Sequence, residues 1–180
     1  MNVALLAPDG LAGESGGTLY DRQIAARLRA RGHTVTAVAT AGRAAAELRR
    51  DPALAGADVW IEDELGHADC VALHREPGAR PPAVAIVHIP GAILDQVDPG
   101  DVERAYLASI DAAVFPSDTM RRDTEAVFGP LAVPWRVIEP GSDHLPAAAR
   151  PRRGGALRVI AVAHALPHKR HDLVLSLIHI

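Results

Sequence analysis

Cysteine is almost absent from this chain. Cys70 is the single one in 180 residues, so no internal disulfide can form and a reducing compartment is expected. Long apolar runs are missing too. The first, in "MNVALLAPDG", is cut after five residues by Pro8 and Asp9. No run approaches the about 20 residues that span a bilayer, so no transmembrane segment is expected. The opening residues carry no cationic leader of the kind a signal peptide needs, and a cytoplasmic location is expected, with peripheral membrane contact left open. Concentrated basic charge is lacking as well. The 19 Lys and Arg are dispersed among 22 Asp and Glu, the net charge is -3, and the densest basic spot is Arg152-Arg153. That excludes the electrostatic footprint of a nucleic-acid binder. There is no Asp-x-Asp of the metal-carrying transferase class and no Gly-x-Ser-x-Gly elbow of a hydrolase.

What is present suits a globular chain: 48% hydrophobic and 23% charged residues. A chain of this length buries on the order of 70% of its unfolded surface. Short apolar runs alternate with helical stretches. Residues 3–7, 34–40, 57–61, 83–89, 112–115 and 135–141 read as strands, and 17–32, 43–50, 64–74, 101–109 and 118–128 as helices. Most of the strand candidates are continuously apolar rather than alternating, as a sheet covered on both faces requires. The expected fold class is α/β: a doubly wound, parallel, Rossmann-like sheet joined by right-handed crossovers. Residues 1–143 would form that domain. Residues 144–156, "HLPAAARPRRGGA", read as a linker rich in Pro, Ala, Arg and Gly. Residues 157–180 would begin a second domain with one strand and a helix starting near His171.

In an open parallel sheet, ligands bind beyond the carboxyl ends of the strands. The stretch "ESGGTLYDRQIAARLRARGHTVTAV" places Gly16 and Gly17 there, where a strand hands over to a helix. Such glycines either make a tight turn or bring bare backbone to an anion at the helix N-terminus. The spacing of Gly10, Gly13, Gly16 and Gly17 matches neither a dinucleotide fingerprint nor a phosphate loop. Glu62, Asp63 and Glu64 cluster at a strand end, where they either bind acceptor hydroxyls or cap the following turn. His164, His168 and His171 have a spacing suggestive of metal, but Pro167 breaks the helix that would align them, and no metal is expected. Cys70 reads as a buried, inert thiol.

Five segments in order resemble family 4 retaining glycosyltransferases of the two-domain GT-B fold. They are "SGGTLYDRQIAARLRARGHTVTAV", "AVAIVHIPGAIL", "DAAVFPSDTMRRDTEAVFG", "WRVIEPGSDHLP" and "LRVIAVAHALPHKRHDLVL". The resemblance implies a GT-B N-terminal domain followed by the start of a nucleotide-sugar domain. It implies transfer of a sugar, with retention and without a metal, from a nucleotide-diphosphate donor to a sugar, lipid or small-molecule acceptor. No cofactor is implied beyond the nucleotide-sugar co-substrate. In such enzymes the Gly-Gly loop faces the donor diphosphate, which would assign Gly16 and Gly17 to donor binding. His88 matches the family histidine held near the transferred sugar. Lys169 matches the lysine that contacts the diphosphate, and His164 stands where the family usually has an arginine. Gly141 and Asp143 match a crossing motif that braces the interdomain loop. Glu62 and Asp63 would serve the acceptor. A chain ending after one unit of the donor domain is expected to be inactive alone. Two other readings stay open: a stand-alone α/β module that binds a phosphorylated small molecule, and a sugar-nucleotide epimerase of the same architecture.

Overall fold

A computed structural model describes residues 1–98 and 100–141. The chain divides into two compact units, Met1–Gly141 and Ser142–Ile180, and only the first is described. The expected linker at 144–156, the strand and helix of 157–180, and Asp143, His164 and Lys169 all lie outside the described residues.

The first unit is built on six strands: β1 (Asn2–Ala7), β2 (Thr34–Ala39), β3 (Val59–Asp63), β4 (Ala83–Ile86), β5 (Ala112–Phe115) and β6 (Trp135–Val137). Every pairing is parallel, and the order is β2-β1-β3-β4-β5-β6. Seven helices connect them: α1 (Gly16–Ala30), α2 (Ala45–Leu48), α3 (Pro52–Ala55), α4 (His67–His74), α5 (Gly91–Asp95), α6 (Asp101–Ser109) and α7 (Asp118–Phe128). A one-turn 3-10 segment, Glu64–Gly66, precedes α4.

The strand order explains where the helices go. From β1 the chain moves one way to β2, then reverses past β1 to β3 and onward. Right-handed crossovers therefore place α1 on one face and the later helices on the other. Two cores follow. On the α1 face, Val3, Leu5, Ala7 and Val35 pack with Ala25 and Leu28. On the other, Leu6, Trp60, Val87 and Phe115 pack with Leu48, Leu54, Leu73 and Tyr106. Leu5, Leu6, Trp60 and Phe115 are wholly buried, each such side chain contributing about 1.5–3 kcal/mol. Trp60 also donates its Nε1–H to the Leu54 carbonyl at 3.2 Å. The reversal falls between β1 and β3, and the carboxyl ends of these strands are where ligands usually bind in such sheets.

Local chemistry adjusted several boundaries. The expected helix at 43–50 is one turn, α2, followed by the one-turn α3. Pro52 disfavours helical backbone at Asp51, which is extended at φ -63 and ψ 124; its carboxylate instead caps Ala53 N at 3.0 Å. The strand expected at 83–89 ends at Ile86 because the N–H groups of His88 and Ile89 turn to the Glu64 carboxylate. The short helix α5 and the truncation of β6 at Val137 were not foreseen. Helices 101–109 and 118–128 stand as expected. Ser117 caps α7 through Met120 N at 3.1 Å, and Gly129 ends it at φ +87.

Candidate functional site

The loop between β1 and α1 is folded by its own acid. Asp9 Oδ1 accepts from Leu11 N at 2.9 Å and Oδ2 from Gly13 N at 2.7 Å. The Arg22 guanidinium donates to the Gly13 carbonyl from the other side. Leu11 takes a left-handed φ of +73, a conformation that costs a non-glycine residue of order 1–3 kcal/mol. Ser15 then caps α1, accepting from Thr18 N at 3.0 Å.

The paired glycines have different surroundings. A Cβ on Gly16 would meet nothing within 4 Å. One on Gly17 would lie 3.3–3.5 Å from the Cδ2, Cγ and Nε2 atoms of His88. Close approach is therefore the reason for bare backbone at Gly17, and the approaching group is the protein's own imidazole. Gly16 faces open space at the helix N-terminus, a position where backbone N–H groups not taken by the Ser15 cap can meet an anion.

His88 follows β4 and is held on every side. Its Nε2 bonds Asp21 Oδ1 at 2.9 Å, and the edge of its ring meets Tyr20 in a T-shaped contact with centroids 5.5 Å apart. Its backbone N–H donates to Glu64 Oε2 at 2.5 Å. The side chain is 9% exposed, and among the described residues Nδ1 has no hydrogen-bond partner. Burial works against the imidazolium, but the hydrogen bond and charge of Asp21, with Asp63 and Glu64 behind it, hold the pKa above the ordinary histidine value. Tyr20 reaches past this ring to donate its hydroxyl to the Ile138 carbonyl at 2.6 Å. Burial, then the Asp21 charge, pushes its phenol up to about 12.

The crevice is acidic. Asp63, the last residue of β3, is 4% exposed and accepts from Leu65 N at 2.9 Å. Burial raises its carboxyl to about 6, helped by the charge of Asp21. Burial likewise raises Glu64 to about 7, with Asp63 adding to it. Asp21, Asp63 and His88 each offer one ligand atom, and these atoms lie within 4.8 Å of one another.

Of the residues singled out in the sequence, Gly16, Gly17, Asp63 and His88 come together here. Glu62 does not. Successive strand residues point to opposite faces, so Glu62 faces α4 while Asp63 reaches the crevice. Glu62 is fully buried and bonds His74 Nε2 through Oε1 at 2.8 Å. His74 Nδ1 in turn meets Ser109 Oγ at 2.8 Å, and the ring stacks between Trp60 and Tyr106 with centroids 6.2 and 6.4 Å away. Glu62 is therefore engaged inside the unit and does not join the residues around His88. Asp21 is the functional candidate that sequence reasoning missed. Its signal was available: it follows Gly17 by four residues, which puts both on one side of α1. Cys70 is buried, as expected, and desolvation raises its thiol well above the usual range.

No family model matches the chain, and neither a curated protein nor a solved structure matches it.

Proposed function

We propose that the first unit is the acceptor-side domain of a retaining glycosyltransferase, which moves a sugar from a nucleotide-diphosphate donor to a hydroxylated acceptor. The observation that carries this reading is His88. It is an almost buried imidazole at the carboxyl ends of the strands, fixed by Asp21 at 2.9 Å and by the bare Gly17. With Nε2 committed to Asp21, Nδ1 is left to hydrogen-bond a sugar hydroxyl, and the neighbouring Asp21 supports positive charge on the ring as charge develops nearby. The acidic surroundings favour a polyol over a phosphate in this crevice, because carboxylates accept hydroxyl hydrogen bonds and repel phosphate charge. The donor diphosphate would meet the N-terminus of α1 at Gly16; Lys169 and His164, the other residues that the resemblance assigns to the donor, lie outside the described residues.

The test is ligand-observed NMR of the 180-residue chain against mono- and disaccharides, nucleotide sugars and small phosphorylated metabolites. Saturation transfer to saccharides, lost in His88→Ala while the fold is retained, is the expected result. Binding of phosphorylated compounds alone, unaffected by His88→Ala, would replace this reading with the phosphate-binding module.

A further inference from the structure

Asp21 carries an oxygen that nothing in the fold explains. Oδ1 is bonded to His88, but Oδ2 is buried and has no hydrogen-bond partner among the described residues. An orphaned acceptor in a fully buried carboxylate is destabilising, and more so if ionised. Folded proteins rarely leave such a group empty-handed. The Asp21 carboxylate lies beside Asp63 and His88: one ligand atom from each of the three falls within 4.8 Å of the others. Asp63 spends Oδ1 on Leu65 N, and Glu64, the third acid nearby, is occupied by the N–H groups of His88 and Ile89.

From this we infer that Asp21, Asp63 and His88 form a binding site for one first-row divalent cation. Two carboxylates and a neutral imidazole balance a charge of +2, so the buried shell is neutral, as burial demands. A mixed nitrogen and oxygen donor set suits Mn2+, Co2+ or Zn2+, whereas Ca2+ and Mg2+ favour oxygen alone. Ligand atoms around an ion at about 2.1 Å lie about 3–3.5 Å apart. The trio therefore needs only a small closure, most simply by a swing of Asp63. The ion takes the place of the Nε2 proton, and Asp21 ligates it through Oδ2 or through both oxygens, which gives the orphaned oxygen its partner. Support behind the ligands is already in place, since Leu65 N holds Asp63 and Gly17 and Tyr20 hold the His88 ring. With three protein ligands, the ion keeps positions open for water or for hydroxyls of a bound ligand. The site stands independently of the sugar-transfer reading, whose chemistry needs no metal, and His88 Nδ1 remains free for that role.

The experiment uses the full chain freed of metal with EDTA. Mn2+ is titrated by electron paramagnetic resonance, Co2+ by visible absorption, and Zn2+ by calorimetry. One ion per chain is expected, with a rise in Tm. Asp63→Asn and His88→Gln should each weaken binding by more than the about 10–100-fold that loss of a supporting residue typically costs. Both variants are checked for fold by circular dichroism, and Asp21→Asn is added if it folds. Asp123→Asn, an exposed acid on α7, should change nothing. A triple variant, His164→Ala with His168→Ala and His171→Ala, should also keep the site. Absence of one-to-one binding in the wild-type chain would overturn the inference. So would binding that survives Asp63→Asn and His88→Gln but disappears in the triple variant.

Discussion

Replacing His74 by phenylalanine tests the assignment of Glu62 to the interior. The new ring keeps the stacking between Trp60 and Tyr106, at 6.2 and 6.4 Å, so packing changes little. Both hydrogen bonds of the imidazole go. Ser109 keeps its bond to the Tyr106 carbonyl at 2.8 Å, but Glu62 Oε1 loses its partner, and among the described residues only the Tyr106 hydroxyl is left near the carboxylate to take it up. Breaking one side of a buried pair of this kind costs about 3–5 kcal/mol. For a unit of this size that is a fall in Tm on the order of 10 °C. Replacing both residues, Glu62→Met with His74→Phe, removes the orphan together with its partner. Such apolar replacements are often neutral or stabilising, so the double variant should recover most of the loss. The assay is equilibrium unfolding in urea, followed by circular dichroism across the four members of the cycle. As a contrast, the Arg122–Asp118 pair is 65% and 55% exposed, and Arg122→Ala should leave the urea midpoint nearly unchanged. A cost below about 1 kcal/mol for His74→Phe, or strict additivity in the cycle, would refute the buried-pair account and reopen Glu62 as a ligand group.

Other consequences are equally direct. Gly16→Ala is expected to be neutral or to stabilise by up to about 1 kcal/mol, since the site is spacious and helical. Gly17→Ala pushes on the His88 ring and should weaken saccharide binding several-fold with little change in Tm; equal effects at the two positions would contradict the contact geometry. Asp111 has a lowered pKa: burial opposes this, but its bonds to Ala83 N and Arg80 outweigh it. A depressed folded pKa stabilises above the unfolded value and fades as pH falls through the folded one. Asp111→Asn should therefore flatten the stability profile on the acid side of about 3.9 and leave the neutral limb's slope unchanged, as read by urea midpoints at stepped pH.

The fold was legible because it depends on averages. Continuous apolar runs such as "VALLA" and "AVAIV" announce strands buried on both faces, and the parallel order follows from the helices between them. Single residues with unambiguous local physics were legible too. Ser117 had to cap α7, and Gly129 had to end it. The boundaries that moved did so where a side chain competed for the backbone. Asp51 and Pro52 broke a helix in two, and Glu64 drew the N–H groups of His88 and Ile89 away from the sheet.

The candidate site was legible only in part, because it is made by long-range pairings. His88 was visible as a histidine at a strand end, and Gly17 as a bare position, but nothing local says that the two touch across 71 residues of chain. Asp21 is harder still, since a helical aspartate reads as solvated surface until the sheet places β4 opposite it. The acid cluster at 62–64 shows the same limit from the other direction. Composition groups the three residues, yet strand alternation sends Glu62 into the α4 face and Asp63 into the crevice, while the turn assigns Glu64 to the His88 backbone. Had the strand ended two residues earlier, at Ile61 as the sequence suggested, that alternation would not have applied and all three could have shared one surface. The extension of β3 by Glu62 and Asp63, paired in register with Ala85 and Ile86, is therefore what separates a stability residue from a candidate ligand.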